Sequence, residues 1–201
     1  MSKPYFLRLT VIMAFITYSS NIIAQNPVKD YLQAPGPIVF DSINYHLVWS
    51  SHPVHNYYKH EYLPAGDTLD HFYRLVLVDV LADDSLKPKD LVLQEISGLN
   101  KRRKYDAFVD YHLVQSPDSS NYVLDFVESE GRPLISFIEW NAYLYKPFKD
   151  KNGHKGILLF GISNRSYGNN AAEFAANLPV LREKVMRLLM DYKIPEVTVP
   201  R

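Results

Sequence analysis

The most constraining feature of this chain is residues 60–80, which combine a sharp chain reversal with a strongly apolar strand. Pro64 and Gly66 supply one fixed and one permissive backbone conformation, so a first strand has to end just before them. A threonine cap with acidic neighbours then predicts a short helical turn. In residues 75–81, β-branched valines alternate with leucines and only Asp79 interrupts them, which predicts a strand in the middle of a sheet.

The rest of the chain adds strands, turn-rich separators and two main amphipathic helices. The predicted strands are residues 43–50, 57–63, 75–81, 108–114, 121–128, 134–145 and 156–163. Their short separators, of which Asn152-Gly153 is the strongest turn signal, favour an antiparallel meander. Apolar residues at helical spacing predict one helix over residues 88–103 and another that begins near Pro179. A separate short helix is predicted over residues 171–176.

These elements predict a single α+β domain over residues 37–201. The expected fold is a single antiparallel sheet meander of about seven strands packed with two main amphipathic helices, in an α-β-α sandwich-like arrangement. A chain of 201 residues, 47% of them apolar, is long enough for one packed core and short for two. Residues 25–36 contain two prolines and a glycine with little periodicity, so we expect a flexible lead-in there.

The order of elements also carries a family resemblance. Residues 61–68, Glu-Tyr-Leu-Pro-Ala-Gly-Asp-Thr, are followed by Phe72 and a strand, then by a helix that starts at Pro88, a strand meander and a final helix. In this order the chain resembles the PsbP, DcrB and Mog1-like α/β sandwich superfamily, and the resemblance implies that fold. Its members range from extrinsic photosystem subunits to bacterial envelope lipoproteins and a nuclear-transport factor, so it implies no single function. The lipid-anchor cysteine of the lipoprotein members is missing here.

The first 24 residues predict a signal peptide. Lys3 and Arg8 accompany an apolar run over residues 9–16, and we expect cleavage after Ala24. The run is shorter than the roughly 20 residues that span a bilayer, although a retained N-terminal anchor is the alternative. We therefore expect a periplasmic or secreted protein, of the bacterial envelope, with no membrane span after signal cleavage.

Composition and missing motifs exclude several classes of function. Cysteine is absent, which excludes disulfides, thiolate metal sites and a cysteine nucleophile. The 22 basic and 22 acidic residues balance, so a nucleic-acid partner is not expected. The sequence contains no phosphate-binding glycine loop, dinucleotide fingerprint or serine elbow, and no cofactor is expected.

Histidines form the first candidate site. His52, His55 and His60 flank a predicted hairpin, and Glu61 follows the last of them. Neutral imidazoles and a carboxylate are good ligands for zinc or copper, so these four residues are a candidate metal site. The alternative is a scatter of structural histidines on a tyrosine-rich pair of strands.

Carboxylates in predicted strands form the second candidate set. They are Asp79, Asp110, Asp125, Glu128 and Glu139. Two of them facing each other could act as an acid and base pair if burial raised one pKa. The alternative is that they occupy the solvated face of the sheet.

Tyr143 and Tyr145 form the third candidate site, a strand-borne platform for a partner, with ordinary core packing as the alternative.

These patterns together favour an exported, non-enzymatic protein that binds another protein or a cell-envelope component. A small hydrolase or metal-binding protein centred on His52, His55, His60 and Glu61 is the alternative. The sequence does not indicate an oligomeric state.

Overall fold

Strand is the commonest regular structure in this chain, as the period-two alternation of side chains predicts. The computed structural model describes residues 28–131 and 134–200. The strands are β1 (Ile38–Phe40), β2 (Ile43–Val54), β3 (Tyr57–Pro64), β4 (Arg74–Leu81), β5 (Asp110–Gln115), β6 (Tyr122–Glu130), β7 (Phe137–Lys149) and β8 (Lys155–Tyr167). The helices are α1 (Pro88–Arg102) and α2 (Ala171–Asp191), with a short 3₁₀ helix at Gly168–Asn170. Residues 1–27, which carry the predicted signal peptide, lie outside the described residues.

The eight strands form one antiparallel sheet in the order β1-β2-β3-β4-β8-β7-β6-β5. Strand β4 pairs with β8 rather than with the strand that follows it in sequence, so two four-stranded meanders meet at the β4–β8 pair. Helix α1 carries the chain from this central position to the far edge, where β5 begins. The sheet curls into a half-barrel because adjacent twisted strands accumulate rotation.

The predicted fold class is therefore wrong. Among the described residues, 42% are strand and 23% helix, and the sheet has eight strands that curl rather than a seven-stranded meander sandwiched with two helices. Sequence periodicity missed β1, which has three residues, and a single continuous meander fails where β4 pairs with β8 instead of with β5. Strand order follows from which edges meet during packing, and local periodicity does not contain that information.

The two faces of the sheet carry different cores. On β6, Tyr122, Leu124 and Phe126 pack with Val92 and Leu99 of α1. On the other face of β6, Val123 and Val127 join the larger cluster that contains Val185 and Leu189 of α2. Because successive strand residues point to opposite faces, α1 covers one face and α2 the other.

Helix α1 begins and ends close to its predicted limits. Pro88 stands in its first turn, where a missing N–H costs nothing, and the Asp90 carboxylate accepts a hydrogen bond from the Lys87 N–H at 2.8 Å. Lys101 and Arg102 lie in its last turn and complement the helix dipole.

Helix α2 corrects the prediction of two separate helices, because it continues through Pro179. An interior proline costs a helix roughly 3 kcal/mol. The apolar residues Leu178, Leu181, Val185 and Leu189 nevertheless form one continuous stripe that packs on the sheet core. Burial of that stripe outweighs the local penalty, and Pro179 itself is exposed.

Two connecting segments also differ from expectation. Residues 67–73 form bends and turns instead of a helical turn, and the Asp67 carboxylate accepts a hydrogen bond from the Tyr73 N–H at 2.8 Å. Residues 28–36 belong to the expected flexible lead-in, yet Leu32 is fully buried in the larger core and its carbonyl accepts a hydrogen bond from the Thr198 N–H. Both chain ends of the described region thus pack on the α2 face.

Candidate binding cavity

A cavity of about 310 Å³ lies between α1 and the sheet face that this helix covers. Helix α1 contributes three side chains at i, i+3 and i+4 spacing, which puts them on one side of the helix. These are Leu91, Gln94 and Glu95. The sheet contributes six residues from four strands, namely Tyr57, Asp79, Leu81, Tyr145, Ile157 and Leu159.

Strand register explains why these six sheet residues converge. Asp79 pairs with Leu159, and Leu159 in turn pairs with Tyr145, so the three form one row across β4, β8 and β7. Tyr57, Leu81 and Ile157 form the neighbouring row on the same face, two positions along each strand. Directly opposed residues in antiparallel strands point to the same side, so both rows face α1.

Asp79 is the polar centre of the cavity wall. The residue is 6% exposed. Its Oδ2 accepts a hydrogen bond from the Tyr57 hydroxyl at 2.6 Å and lies 3.6 Å from the Lys59 ammonium nitrogen. Within the described part of the chain, no group donates a hydrogen bond to its Oδ1. Buried polar atoms without a partner are rare in proteins, and each one calls for an explanation.

Burial dominates the electrostatics of the cavity. It raises the pKa of Asp79 above its ordinary value, against the opposing effects of Lys59 and of the Tyr57 hydrogen bond. Burial also raises the pKa of the Glu95 carboxyl, again with Lys59 acting against the rise. The pKa of the Tyr145 hydroxyl rises through burial and then through the negative charges of Glu95 and Asp79. Two carboxyl groups on opposite walls therefore share one lysine.

The four candidate metal residues do not form one site, although His52 and His55 line the same surface cavity. His60 is fully buried on the α2 face, where its Nε2 accepts a hydrogen bond from the Tyr31 N–H at 3.0 Å. Its Nδ1 lies 3.0 Å from the Tyr62 hydroxyl, which itself donates to the Ala34 carbonyl, so Nδ1 carries the proton. Both ring nitrogens are thus engaged in hydrogen bonds within the fold, and burial lowers the pKa of the imidazole.

The other members of the histidine set lie elsewhere. His52 is exposed, stacks on Tyr58 with ring centroids 4.3 Å apart, and has its Nδ1 3.0 Å from the Tyr57 carbonyl. His55 is exposed on the β2–β3 turn, and Glu61 points to the opposite face from its neighbour His60. Across residues 28–131 and 134–200, no group of three or more His, Cys, Asp or Glu residues is placed to hold a metal ion. A metal or hydrolase centre built from these four residues therefore lacks a common site.

Tyr143 and Tyr145 do not form an open platform. Tyr145 is 2% exposed and lines the cavity under α1. Tyr143 is half-buried and packs edge-on against both Phe126 and Tyr145, with centroids 5.1 and 6.4 Å apart. Helix α1 covers the part of the sheet face on which these tyrosines lie.

The five strand carboxylates lie on both faces of the sheet and on its edge strand β5. Glu128 and Glu139 are opposed on the same face as Asp79, and Glu139 pairs with Arg165. Asp125 lies on the α2 face, where it accepts hydrogen bonds from the Trp140 indole and the Arg182 guanidinium. Asp110 is exposed on β5. Only Asp79 among the five carboxylates lines the cavity.

Sequence reasoning singled out Asp79 as the one interruption of an apolar strand but missed Tyr57 and Glu95. Glu95 lies four residues after Leu91, so the helical stripe already placed it beside a sheet-facing leucine. No sequence signal connects Glu95 to Tyr57, because they meet only once β3 and α1 share a sheet face.

A protein-family model matches residues 32–194, which is more than half of the chain. The chain belongs to this family. The family description states no activity, ligand or partner. No curated protein and no solved structure matches the chain significantly. The resemblance to the PsbP-like proteins therefore stays a prediction.

Proposed function

We propose that this protein is an exported binding protein that holds a small ligand in the cavity between α1 and the sheet. The observation that carries the proposal is Asp79, a buried carboxyl whose Oδ1 has no partner within the described residues and which lines that cavity. Leaving such an atom unpaired costs about 1–3 kcal/mol. A ligand that supplies the missing donor would recover this free energy.

The size of the cavity supports a small ligand. Its volume of about 310 Å³ is at the lower limit of the range of ligand pockets. Four aliphatic side chains and two tyrosines surround the two carboxyl groups, which is the mixture of apolar walls and few polar groups typical of such pockets. The expected envelope partner is therefore a small molecule of that compartment, in place of a protein bound on an open platform.

Binding is proposed in preference to catalysis because of the lining residues. Neither serine, threonine nor histidine is among the nine residues that surround the cavity. Asp79 and Glu95 could transfer a proton, but Oδ2 of Asp79 already accepts the Tyr57 hydroxyl, so this tyrosine is not free to polarise a substrate. The residues present can hold and orient a ligand.

The experiment that tests the site uses ¹³C-methyl-labelled protein and NMR titration with benzylamine, benzyl alcohol and benzoate. Saturable shifts of the Leu91 and Leu159 methyl signals, with the Leu189 methyls on the opposite face unchanged, would support the proposal. The variant Leu159→Trp should fill the cavity and remove these shifts. Leu113→Trp, on the exposed edge strand, is the matched control and should keep them. If none of the three probes gives saturable shifts, the proposed site is wrong.

Export is the second part of the proposal, and it rests on the N-terminal sequence. The structure contains no helix, in the part it describes, with the length and hydropathy to cross a membrane. N-terminal sequencing of the protein recovered from a bacterial expression host's periplasm or medium tests the cleavage site. We expect a mature chain that starts at Gln25, whereas a full-length chain in the membrane fraction would favour the retained anchor.

A further inference from the structure

The charges around the cavity identify the class of ligand, given the proposed binding function on which this inference rests. Asp79 and Glu95 stand on opposite walls, one on β4 and the other on α1. Lys59 is the cation that acts on both carboxyl groups. Glu61, on the same strand and face as Lys59, is influenced by both this lysine and Arg165. Within the cavity itself, one partly exposed lysine thus acts on the two carboxyl groups of Asp79 and Glu95, so the site is short of positive charge.

The lysine itself is poorly placed to neutralise Asp79. Its ammonium nitrogen lies 3.6 Å from Oδ2, the oxygen that already accepts the Tyr57 hydroxyl, and the Lys59 side chain is 34% exposed. An ion pair that reaches solvent in this way contributes little. The other oxygen, Oδ1, has no donor in the described residues. The missing partner of Asp79 is therefore a hydrogen-bond donor, and a cationic donor satisfies both the atom and the charge.

The aromatic and aliphatic walls fit the rest of such a ligand. Tyr57 already has a cation near its ring, since the Lys59 ammonium lies 5.5 Å from the ring centroid. Tyr145 lines the same cavity, and tyrosine faces attract ammonium groups. Leu81, Leu91, Ile157 and Leu159 offer a surface for a short hydrocarbon or ring.

We propose that the cavity binds a small primary ammonium compound, with its nitrogen at Asp79 Oδ1 and its carbon skeleton against the leucines of α1 and β8. A neutral alcohol could donate to the same oxygen but would leave the excess negative charge uncompensated. A carboxylate ligand would add a further negative charge beside Asp79 and Glu95. The order of affinity for probes of one shape is therefore ammonium, then alcohol, then carboxylate.

Titration of benzylamine, benzyl alcohol and benzoate at near-neutral pH separates these classes. We expect benzylammonium to bind at least about tenfold more tightly than benzyl alcohol, and benzoate to show no saturation. Asp79→Asn keeps the shape of the side chain and should weaken benzylammonium binding about 10- to 100-fold. Asp110→Asn removes an exposed carboxylate on β5 and is the matched control, with unchanged affinity expected.

The outcomes distinguish this inference from the proposed function. If benzyl alcohol or benzoate binds as tightly as benzylammonium, the ammonium assignment is overturned while the cavity remains a binding site. If Asp79→Asn binds benzylammonium as the wild type does, the contact at Oδ1 is refuted. Glu95→Gln gives an independent check, because loss of the second carboxyl should also weaken ammonium binding. Absence of any saturable probe overturns both proposals.

Discussion

Replacing Asp79 with asparagine should stabilise the protein in the absence of ligand, although most changes at buried polar residues destabilise. The asparagine keeps an oxygen that can accept the Tyr57 hydroxyl, so the 2.6 Å hydrogen bond can persist. An unpaired buried polar group costs about 1–3 kcal/mol and more when it is charged, so the unpaired amide that replaces Oδ1 costs less than the carboxylate does. The partly exposed Lys59 pair that the variant loses contributes about 0–1 kcal/mol.

The difference gives the expected magnitude. The unfolding free energy of Asp79→Asn should exceed that of the wild type by about 1–2 kcal/mol near neutral pH, because removal of the buried charge outweighs loss of the ion pair. For a domain of this size, that corresponds to a rise in Tm of about 2–8 °C. Guanidinium unfolding followed by circular dichroism measures the stability of the wild type and of Asp79→Asn. The control variant Asp110→Asn should change the unfolding free energy by less than about 0.5 kcal/mol.

The pH dependence supplies a second, independent check. Burial raises the pKa of Asp79 above 3.8, so this group destabilises the folded chain at neutral pH. As the pH falls through the raised pKa towards 3.8, the folded protein takes up the proton first and the penalty disappears. The other titratable groups that face this region are Tyr57, Lys59, Glu61, Glu95 and Tyr145. These groups are present in both the wild type and Asp79→Asn, so the difference in their pH dependence of stability isolates the contribution of Asp79.

The stability gap between Asp79→Asn and the wild type should therefore narrow at acid pH. A gap that stays constant over this range would mean that Asp79 is not the origin of the difference. A variant that is less stable than the wild type by more than about 1 kcal/mol at neutral pH would show that Lys59 compensates the carboxylate fully, and the argument for an unmet partner would fail.

Three further outcomes test the packing. Leu189→Ala, at a fully buried residue, should lower the unfolding free energy by about 2–5 kcal/mol. Met190→Ala, at a residue 65% exposed, should change it by less than about 0.5 kcal/mol. Equal effects of the two variants in chemical unfolding would contradict the orientation of α2. Gly98→Ala in α1 meets open space and should raise helix stability by about 0.5–1 kcal/mol, read out by the thermal midpoint. Gly161→Ala on β8 places its Cβ 2.7 Å from a leucine side-chain carbon and should cost about 1–3 kcal/mol, so a neutral result would mean that the neighbouring side chains relax freely.

Several local elements could be predicted because their signals are local. Helix α1 ends within one residue of its predicted limit, since Pro88, the apolar stripe and the terminal basic residues all act within a turn or two. The turn between β7 and β8 was read from Asn152-Gly153, and Gly153 has a φ of +90°, which only glycine adopts without strain. Strand β4 was recognised from its valines, and Asp79 was recognised as the residue that did not fit.

The tertiary structure alone decided where these elements meet. The pairing of β4 with β8 puts Asp79 beside Leu159, two residues eighty positions apart in sequence. The crossover helix α1 then buries that row and brings Glu95 to it, so Asp79 becomes a buried carboxyl group whose Oδ1 has no partner among the described residues. Burial and partner choice depend on contacts between distant segments, and periodicity within one segment cannot report them.

The sequence by itself determined seven of the eight strands in the described residues, where α1 lies, and that no thiol chemistry is available. The tertiary structure decided the strand order, the continuity of α2 through Pro179, and the separation of His60 from Glu61 onto opposite faces. The physical reason is the same in each case. Backbone preferences act over a few residues, whereas the free energy of burial depends on the whole set of surfaces that pack together.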